Sequence, residues 1–583
     1  MLRSRIRSLL VSPLPEKSDN RLWRWFYLSL LFAVYMAWAP LQKALSHEYL
    51  VQDDARQHIF WMQRFIDPEL FPHDLLANYF QSVAPTGYSW LYQGFAGLGV
   101  DPILLHKLLP LPLMLLSTAY VFEICWQLLR VPFAGFLAAM LLNISLWMRD
   151  DVVSATPVAF AYPLLLAFVY YWLKRSLIPS LLAIALLGSF YPQSALVAGG
   201  LAVASLVDLS TKKLRNVHNY AQVGSVLGVL VLVLLPYLGR NSAFGPVVTA
   251  SEARNLAAFS VHGWSHFFDP NPWYFWFCGK RSGMLPGEWC KILLKRDFWL
   301  FPPQIWFGLS LPLLMKFPQR LPLVRFVNSK INILWQWLLV SVIWFGISHA
   351  LIFALHLPNR YTANSWRLIA AIAGAIALTI VLDGLIHCAR IPRFSLFAKG
   401  LGIVMLLCLL IYPITLRNNF YLKTGYVIGE APHIYEFLQE QPKDILIASL
   451  NREANNLPTF AQRSIFVGGE GYLLPYHQGY YQELKQRTAA LIHAQYSTDW
   501  RTVTDFVEEY EIDFWLIGES AFTLDELAQN SWLHKYPTEL AIAKETLSKG
   551  SVPILSNVFD RCTVVKNKTL RLLDTSCFSE PII

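Results

Sequence analysis

Charge is scarce in this chain. Only 15% of its 583 residues are charged, against 55% hydrophobic, where a soluble protein carries about a quarter charged residues. The shortage excludes an ordinary water-soluble fold for most of the sequence. Cysteine is sparse as well, with 7 residues. The tail beyond Ala431 holds no Cys-x-x-Cys spacing, no Gly-rich phosphate loop and no Gly-x-Ser-x-Gly elbow, so no zinc-ribbon, P-loop or serine-hydrolase chemistry is indicated there. No small-residue cleavage site follows the first apolar run, which therefore reads as an uncleaved span. No internal repeat stands out. The net charge of +9 sits in short segments between apolar runs, which fits the positive-inside bias and not a nucleic-acid face.

What remains is a series of long apolar runs. They cover Trp23–Pro40, Pro102–Leu128, Phe133–Met148, Ala155–Leu173, Leu177–Leu206, Tyr220–Leu238, Phe298–Leu314, Ile333–Phe353, Leu368–Ile386 and Leu401–Leu416. The fifth is broken at Gly188 to Gln193. Lys174 and Arg175 precede it and Lys212, Lys213 and Arg215 follow it. Basic connections stay cytoplasmic, so this stretch must cross twice or re-enter, turning at Tyr191-Pro192. Arg3, Arg5, Arg7, Lys17, Arg21 and Arg24 then lie inside, with Lys316, Arg320, Arg325 and Lys330, and with Arg390, Arg393 and Lys399. The expectation is a polytopic α-helical membrane protein of about eleven spans, amino terminus cytoplasmic, with an extracytoplasmic α/β domain at its carboxyl end.

The expected organisation is a basic head at 1–22, a membrane domain at 23–416 and a soluble domain at 417–583. Outer loops fall at 42–101, 149–154, 239–297 and 355–367. Cys278 and Cys290 share one outer loop, and Cys562 and Cys577 share the tail, a grouping that suits disulfides in an oxidising compartment but does not require them. In the tail, 444–449, 464–468 and 513–518 read as strands, and 434–439, 481–494 and 500–510 as helices.

The chemistry centres on Asp53-Asp54, about a dozen residues past the first span. Two adjacent acids at a membrane boundary are expensive to desolvate, and so point to a base or a metal-held carboxylate. The stretch 55–66 suggests an interfacial amphipathic helix with Ile59, Met62, Phe65 and Ile66 on its apolar side. Asp54 and His58 are then neighbours at four-residue spacing. An Asp here also suits a helix N-cap, and one Asp can cap while the other reacts. Arg149-Asp150-Asp151 brings a second acid pair to the same membrane face, as a solvated connection or as a partner that shares a divalent cation or divides the acid and base roles. Arg56, Arg64, Arg254, Arg360 and Arg367 are candidate phosphate ligands, with membrane-surface anchoring or salt bridging the alternative for each. His262, His266 and Asp269 form a loose set that reads better as structural than as metal-binding.

A cytoplasmic amino terminus, a long first outer loop opening on paired acids, a second acidic loop, broken helices and an outer α/β tail resemble the GT-C glycosyltransferases. The resemblance implies a sugar moved from a polyprenyl-phosphate or polyprenyl-diphosphate carrier to an acceptor outside the cytoplasm, in the plasma (inner) membrane. By position, Asp53 or Asp54 matches the family's catalytic acid and Asp150 or Asp151 its second-loop acid. Arg56, Arg64 or Arg360 would hold the departing phosphate. The Trp-Trp-Asp-Tyr-Gly signature of oligosaccharyltransferases is absent. Alternatives are a transporter or flippase and a non-catalytic envelope assembly protein, and the acceptor is open.

Overall fold

The computed structural model describes residues 7–14, 19–208, 213–214, 217–238, 242–295, 302–389, 391–392, 395–418 and 422–579. Arg3, Arg5, Lys17, Lys212, Arg215, Gly239, Asp297, Phe298, Arg390 and Arg393 lie outside the described residues, as does the last stretch of the tail.

Each predicted apolar run overlaps a helix. The order is α1 (Asn20–Ala44), then β1 (Leu50–Gln52) and α2 (Asp53–Ile59) of the first loop, then α3 (Pro110–Leu128), α4 (Pro132–Trp147), α5 (Pro157–Leu173), α6 (Leu177–Phe190), α7 (Pro192–Ala204), α8 (Val217–Leu238), α9 (Pro303–Leu314), α10 (Asn332–Ala350), α11 (Asn359–Cys388) and α12 (Ser395–Asn418). Among the described residues, six helical stretches are long and apolar enough to cross a membrane, with four shorter apolar helices beside them. The chain is therefore a multi-pass membrane protein.

Proline sets several of the boundaries. Pro110, Pro132, Pro157 and Pro192 each open a helix, where a missing N–H is harmless and φ is already helical. Pro192 also ends α6, and Tyr191 between the two helices has non-helical dihedrals, φ −150° and ψ 83°.

The central helix is α11. Its middle is a run of alanines, glycine and isoleucines that is largely buried, and its small side chains let neighbours approach. A Cβ at Gly374 would sit 2.6 Å from Cα of Gln304 at the start of α9. The two ends of α11 differ in chemistry. Arg360 and Arg367 mark its first turns, and Asp383 near the other end pairs with Arg7 at 3.4 Å. Lys330, from one of the basic connections, donates its ammonium to the Leu173 carbonyl at 2.8 Å.

The tail returns to the first loop before forming its own sheet. Strand β2 (Tyr426–Ile428) pairs antiparallel with β1, Gln52 opposite Tyr426 and Leu50 opposite Ile428. Then β3 (Leu446–Ala448), β4 (Ser464–Ile465), β5 (Phe514–Gly518), β6 (Thr563–Lys566) and β7 (Leu570–Asp574) form one sheet in the order β4-β3-β5-β7-β6. The first three are parallel, and β7 and β6 continue the sheet antiparallel. The three strands and three helices expected from the sequence all appear, with the last hairpin in addition. Cys562 and Cys577 are disulfide-bonded across its base, as are Cys278 and Cys290 in the long loop.

First loop and sheet share one hydrophobic core. It holds Phe60, Trp61, Tyr79 and Tyr88 from the loop with Tyr472, Tyr480 and Trp515 from the tail, and Tyr79 stacks on Tyr480 with ring centroids 3.6 Å apart. The expected interfacial helix over 55–66 is therefore not formed as such. The α-helix stops at Ile59 and a 3-10 segment, Phe60–Phe65, follows. Phe60 and Trp61 are buried together with Ile59 and Met62, so the segment is apolar on several sides and the sheet unit covers it in place of lipid.

Candidate active site

The β1–β2 pair delivers the first acids to the site. Gln52, not either Asp, caps α2, its Oε1 accepting from Ala55 N at 3.0 Å. The N-cap reading for Asp53 or Asp54 is thereby corrected: both stand in the first turn, where the positive helix end favours a carboxylate. Asp53 N donates to the Gly425 carbonyl at 3.0 Å. From there the two side chains diverge. Asp53 accepts from Arg56 at 2.7 Å, and the buried Arg56 also donates to Asn456 at 2.8 Å. This pair fastens the first loop to the sheet unit. Asp54 makes no hydrogen bond or ion pair among the described residues.

Gly425 is where the acid sites meet. Its φ of +60° is left-handed, and a Cβ there would lie 3.0 Å from Nε2 of Gln52 and 3.4 Å from Oδ2 of Asp150. A residue without a side chain is required at this joint. Asp150 is held by Lys423 at 2.9 Å. Asp151 is buried in a cationic cage: Arg149 lies 3.5 Å away, Arg367 3.8 Å, Arg360 3.9 Å, and the Tyr162 hydroxyl donates to it at 3.0 Å. Burial alone would raise its carboxyl, but the three guanidinium groups and the phenol hold it well below the usual range. Asp151 is a fixed negative charge. Arg367 is fixed in turn by the buried Glu288, through contacts of 2.6 and 2.9 Å.

Asp54 has the opposite character. It is open to water, yet protein walls it so closely that the recess raises its carboxyl to about 6. Desolvation leads, the charges of Asp150, Asp53 and Asp151 add to it, and Arg360 opposes. The same recess pushes His58 down to about 4, through burial and Arg360. His356 falls to about 3 through burial and the charges of Arg360, Arg281 and His58. Both imidazoles are neutral at pH 7. The recess thus combines one unpaired carboxylate that retains basicity, neutral hydrogen-bonding rings and a cationic wall. That combination suits removing a proton from a hydroxyl beside a bound anion.

The predicted residues divide accordingly. Asp54, Asp150, Asp151 and Arg360 come together, with Asp53 at their edge. Arg56 is buried in the loop–sheet contact. Arg64 is held away from them by the carbonyls of Leu70 and Phe71 and by Asn78 and Gln81, and Arg254 lies over the Phe268 ring. His266 pairs with Asp269 at 3.3 Å. Asp53, Asp150 and Asp151 are each paired with a cation, and among the described residues no three His, Cys, Asp or Glu converge to hold an ion. As arranged, the donors do not fit a divalent cation. Lys280, Arg281 and His356 escaped the sequence reading, since nothing in their spacing sets them apart from other loop residues.

No family model and no curated protein matches the sequence. Solved structures do. The oligosaccharyltransferase of Archaeoglobus fulgidus, tethered with an acceptor peptide, aligns at TM-score 0.53 and 11% identity over 90% of this chain and 72% of that one. The Archaeoglobus fulgidus oligosaccharyltransferase AglB with an inhibitory peptide and a dolichol-phosphate aligns at TM-score 0.52 and 12% identity, again over 90% and 72%. The fold of this chain is therefore similar to that of these oligosaccharyltransferase structures. In this fold a first-loop acid, a second-loop acid pair and the start of a central helix meet in one recess.

Proposed function

We propose that this protein is a membrane glycosyltransferase that moves a sugar from a polyprenyl-phosphate carrier to an acceptor hydroxyl on the extracytoplasmic side. The observation that carries the reading is Asp54: an acid without a partner among the described residues, raised to about 6, in a recess whose other acids are neutralised by cations. In the proposed reaction Asp54 takes the proton of the acceptor hydroxyl as its oxygen attacks the anomeric carbon. The bond from that carbon to the carrier phosphate breaks, and the phosphate leaves with the electron pair toward Arg360. Asp151 orders Arg360 and Arg367 without reacting, and His58 and His356 offer neutral donors and acceptors to sugar hydroxyls.

The proposed topology has about eleven spans with the amino terminus inside. It is supported by Arg7 and Lys330 lying at the end of the bundle opposite the recess, and by two disulfides on the recess side. The sheet unit is then extracytoplasmic, and the membrane is the plasma membrane.

The test replaces the two neighbouring acids one at a time. Asp54→Asn is expected to lower transfer by about a hundredfold or more, the scale of a lost general base. Asp53→Asn, which loses one contact to Arg56, should lower it only a few-fold. Equal, small effects at both positions would contradict the assignment.

A further inference from the structure

The turn that follows Cys278 is fastened from three sides. The Cys278–Cys290 disulfide closes its base. Asn359, the residue before Arg360, donates its side-chain amide to the Lys280 carbonyl at 2.7 Å and its backbone N–H to the Arg281 carbonyl at 3.3 Å. The Arg281 guanidinium donates to the Tyr476 hydroxyl of the sheet unit at 2.8 Å. The outcome of this fastening is that two consecutive cations, Lys280 and Arg281, face the first turn of α11, where a third cation, Arg360, already stands.

Charge makes this placement unfavourable in isolation. Lys280 has no ion pair among the described residues: desolvation and then the charges of Arg281, Arg149 and Lys423 disfavour its ammonium, and Asp54 favours it. Arg281 is held by a phenol and not by a carboxylate. The Nε atoms of Arg149, Arg281 and Arg360 are buried donors without an acceptor among the described residues. With the Asp53–Arg56 pair at the edge set aside, the cations Arg149, Lys280, Arg281, Arg360, Arg367 and Lys423 outnumber Asp54, Asp150, Asp151 and Glu288 around the recess. Crowded cations with unfilled buried donors are what an anion site looks like before its anion arrives. A phosphate supplies the missing acceptors, with Arg offering a planar fork and Lys a point charge.

We infer that Lys280 and Arg281 bind the phosphate of the lipid-linked donor, and that the disulfide and Tyr476 act as positioning elements that present them to it. The inference rests on the transferase reading and adds to it the residues that select an anionic carrier. The turn meets Arg360 at the recess, so the phosphate lies between the long loop and α11.

The test uses the full chain in phosphatidylcholine nanodiscs, with tryptophan fluorescence reporting titration by short-chain polyprenyl phosphate, uncharged polyprenol and inorganic phosphate. Wild type is expected to prefer polyprenyl phosphate over both. Lys280→Gln and Arg281→Gln should each weaken its binding by about tenfold, one charge-assisted contact apiece, with polyprenol binding unchanged and Lys280→Arg restoring affinity. Lys280 is exposed, so its variants report binding without disturbing the core. A double variant within twofold of a wild type that prefers the phosphate would overturn the inference and leave the transferase reading standing. A wild type with no preference for the phosphate over polyprenol would overturn both. Inorganic phosphate binding as tightly as the lipid would overturn the assignment to a lipid-borne phosphate.

Discussion

At Asp54 two demands meet that ordinary carboxylates satisfy poorly. A base must be ionised to act, and it must hold a proton firmly enough to take one from a hydroxyl. The recess reconciles them by raising the carboxyl to about 6, which leaves it ionised at neutral pH and a stronger base than a free Asp. The sign of the pH dependence follows. Below about 6 the carboxyl is protonated and cannot accept, so the transfer rate should fall as pH drops through that value and level off above it. A pH–rate profile of wild type checks this, and the residual rate of Asp54→Asn should lack the same inflection. Glu288 makes a different prediction. Its bidentate contact balances the buried Arg367, so Glu288→Ala should destabilise the fold by about 3 kcal/mol, because Arg367 is left only the Asp151 carboxylate that Arg149 and Arg360 already share. Thermal unfolding in detergent measures it.

At the scale of elements, the recess is built by joints that lie far apart in sequence. The β1–β2 pair is three residues wide, and its partners come from the first loop and the segment after the last span. Neither strand has enough alternation to be recognised alone, so the junction at Gly425 was not legible in the sequence. The Tyr191-Pro192 break was legible, because proline carries a local instruction that tertiary context does not override. Asp53-Asp54 stood out by adjacency, whereas Lys280 and Arg281 resemble any basic turn until Asn359 and Tyr476 are seen to hold them. The disulfide-closed turn supplies this scale's prediction. Reducing Cys278–Cys290, or replacing both cysteines by serine, should raise KM for the donor several-fold with a smaller change in kcat, since the turn presents phosphate ligands and leaves Asp54 in place. Steady-state kinetics with and without reductant separate the two parameters.

For the whole molecule, composition and charge pattern were enough to read a multi-pass membrane protein with an α/β tail, because bilayer thickness and the positive-inside bias act on every span at once. What escaped was how deeply the tail enters the first loop. Ile59 and Met62 read as lipid-facing residues in the sequence, and become core once the sheet unit covers the segment. The recess therefore belongs to both parts, with its floor at the helix ends and its roof in the sheet unit. The measurement that bears most directly on this account is transfer itself. Purified protein in nanodiscs would be offered a panel of radiolabelled polyprenyl-phosphate sugars with a membrane extract as acceptor. The account predicts that label reaches an acceptor with wild type and is lost with Asp54→Asn. Label transferred equally by the two proteins would contradict it.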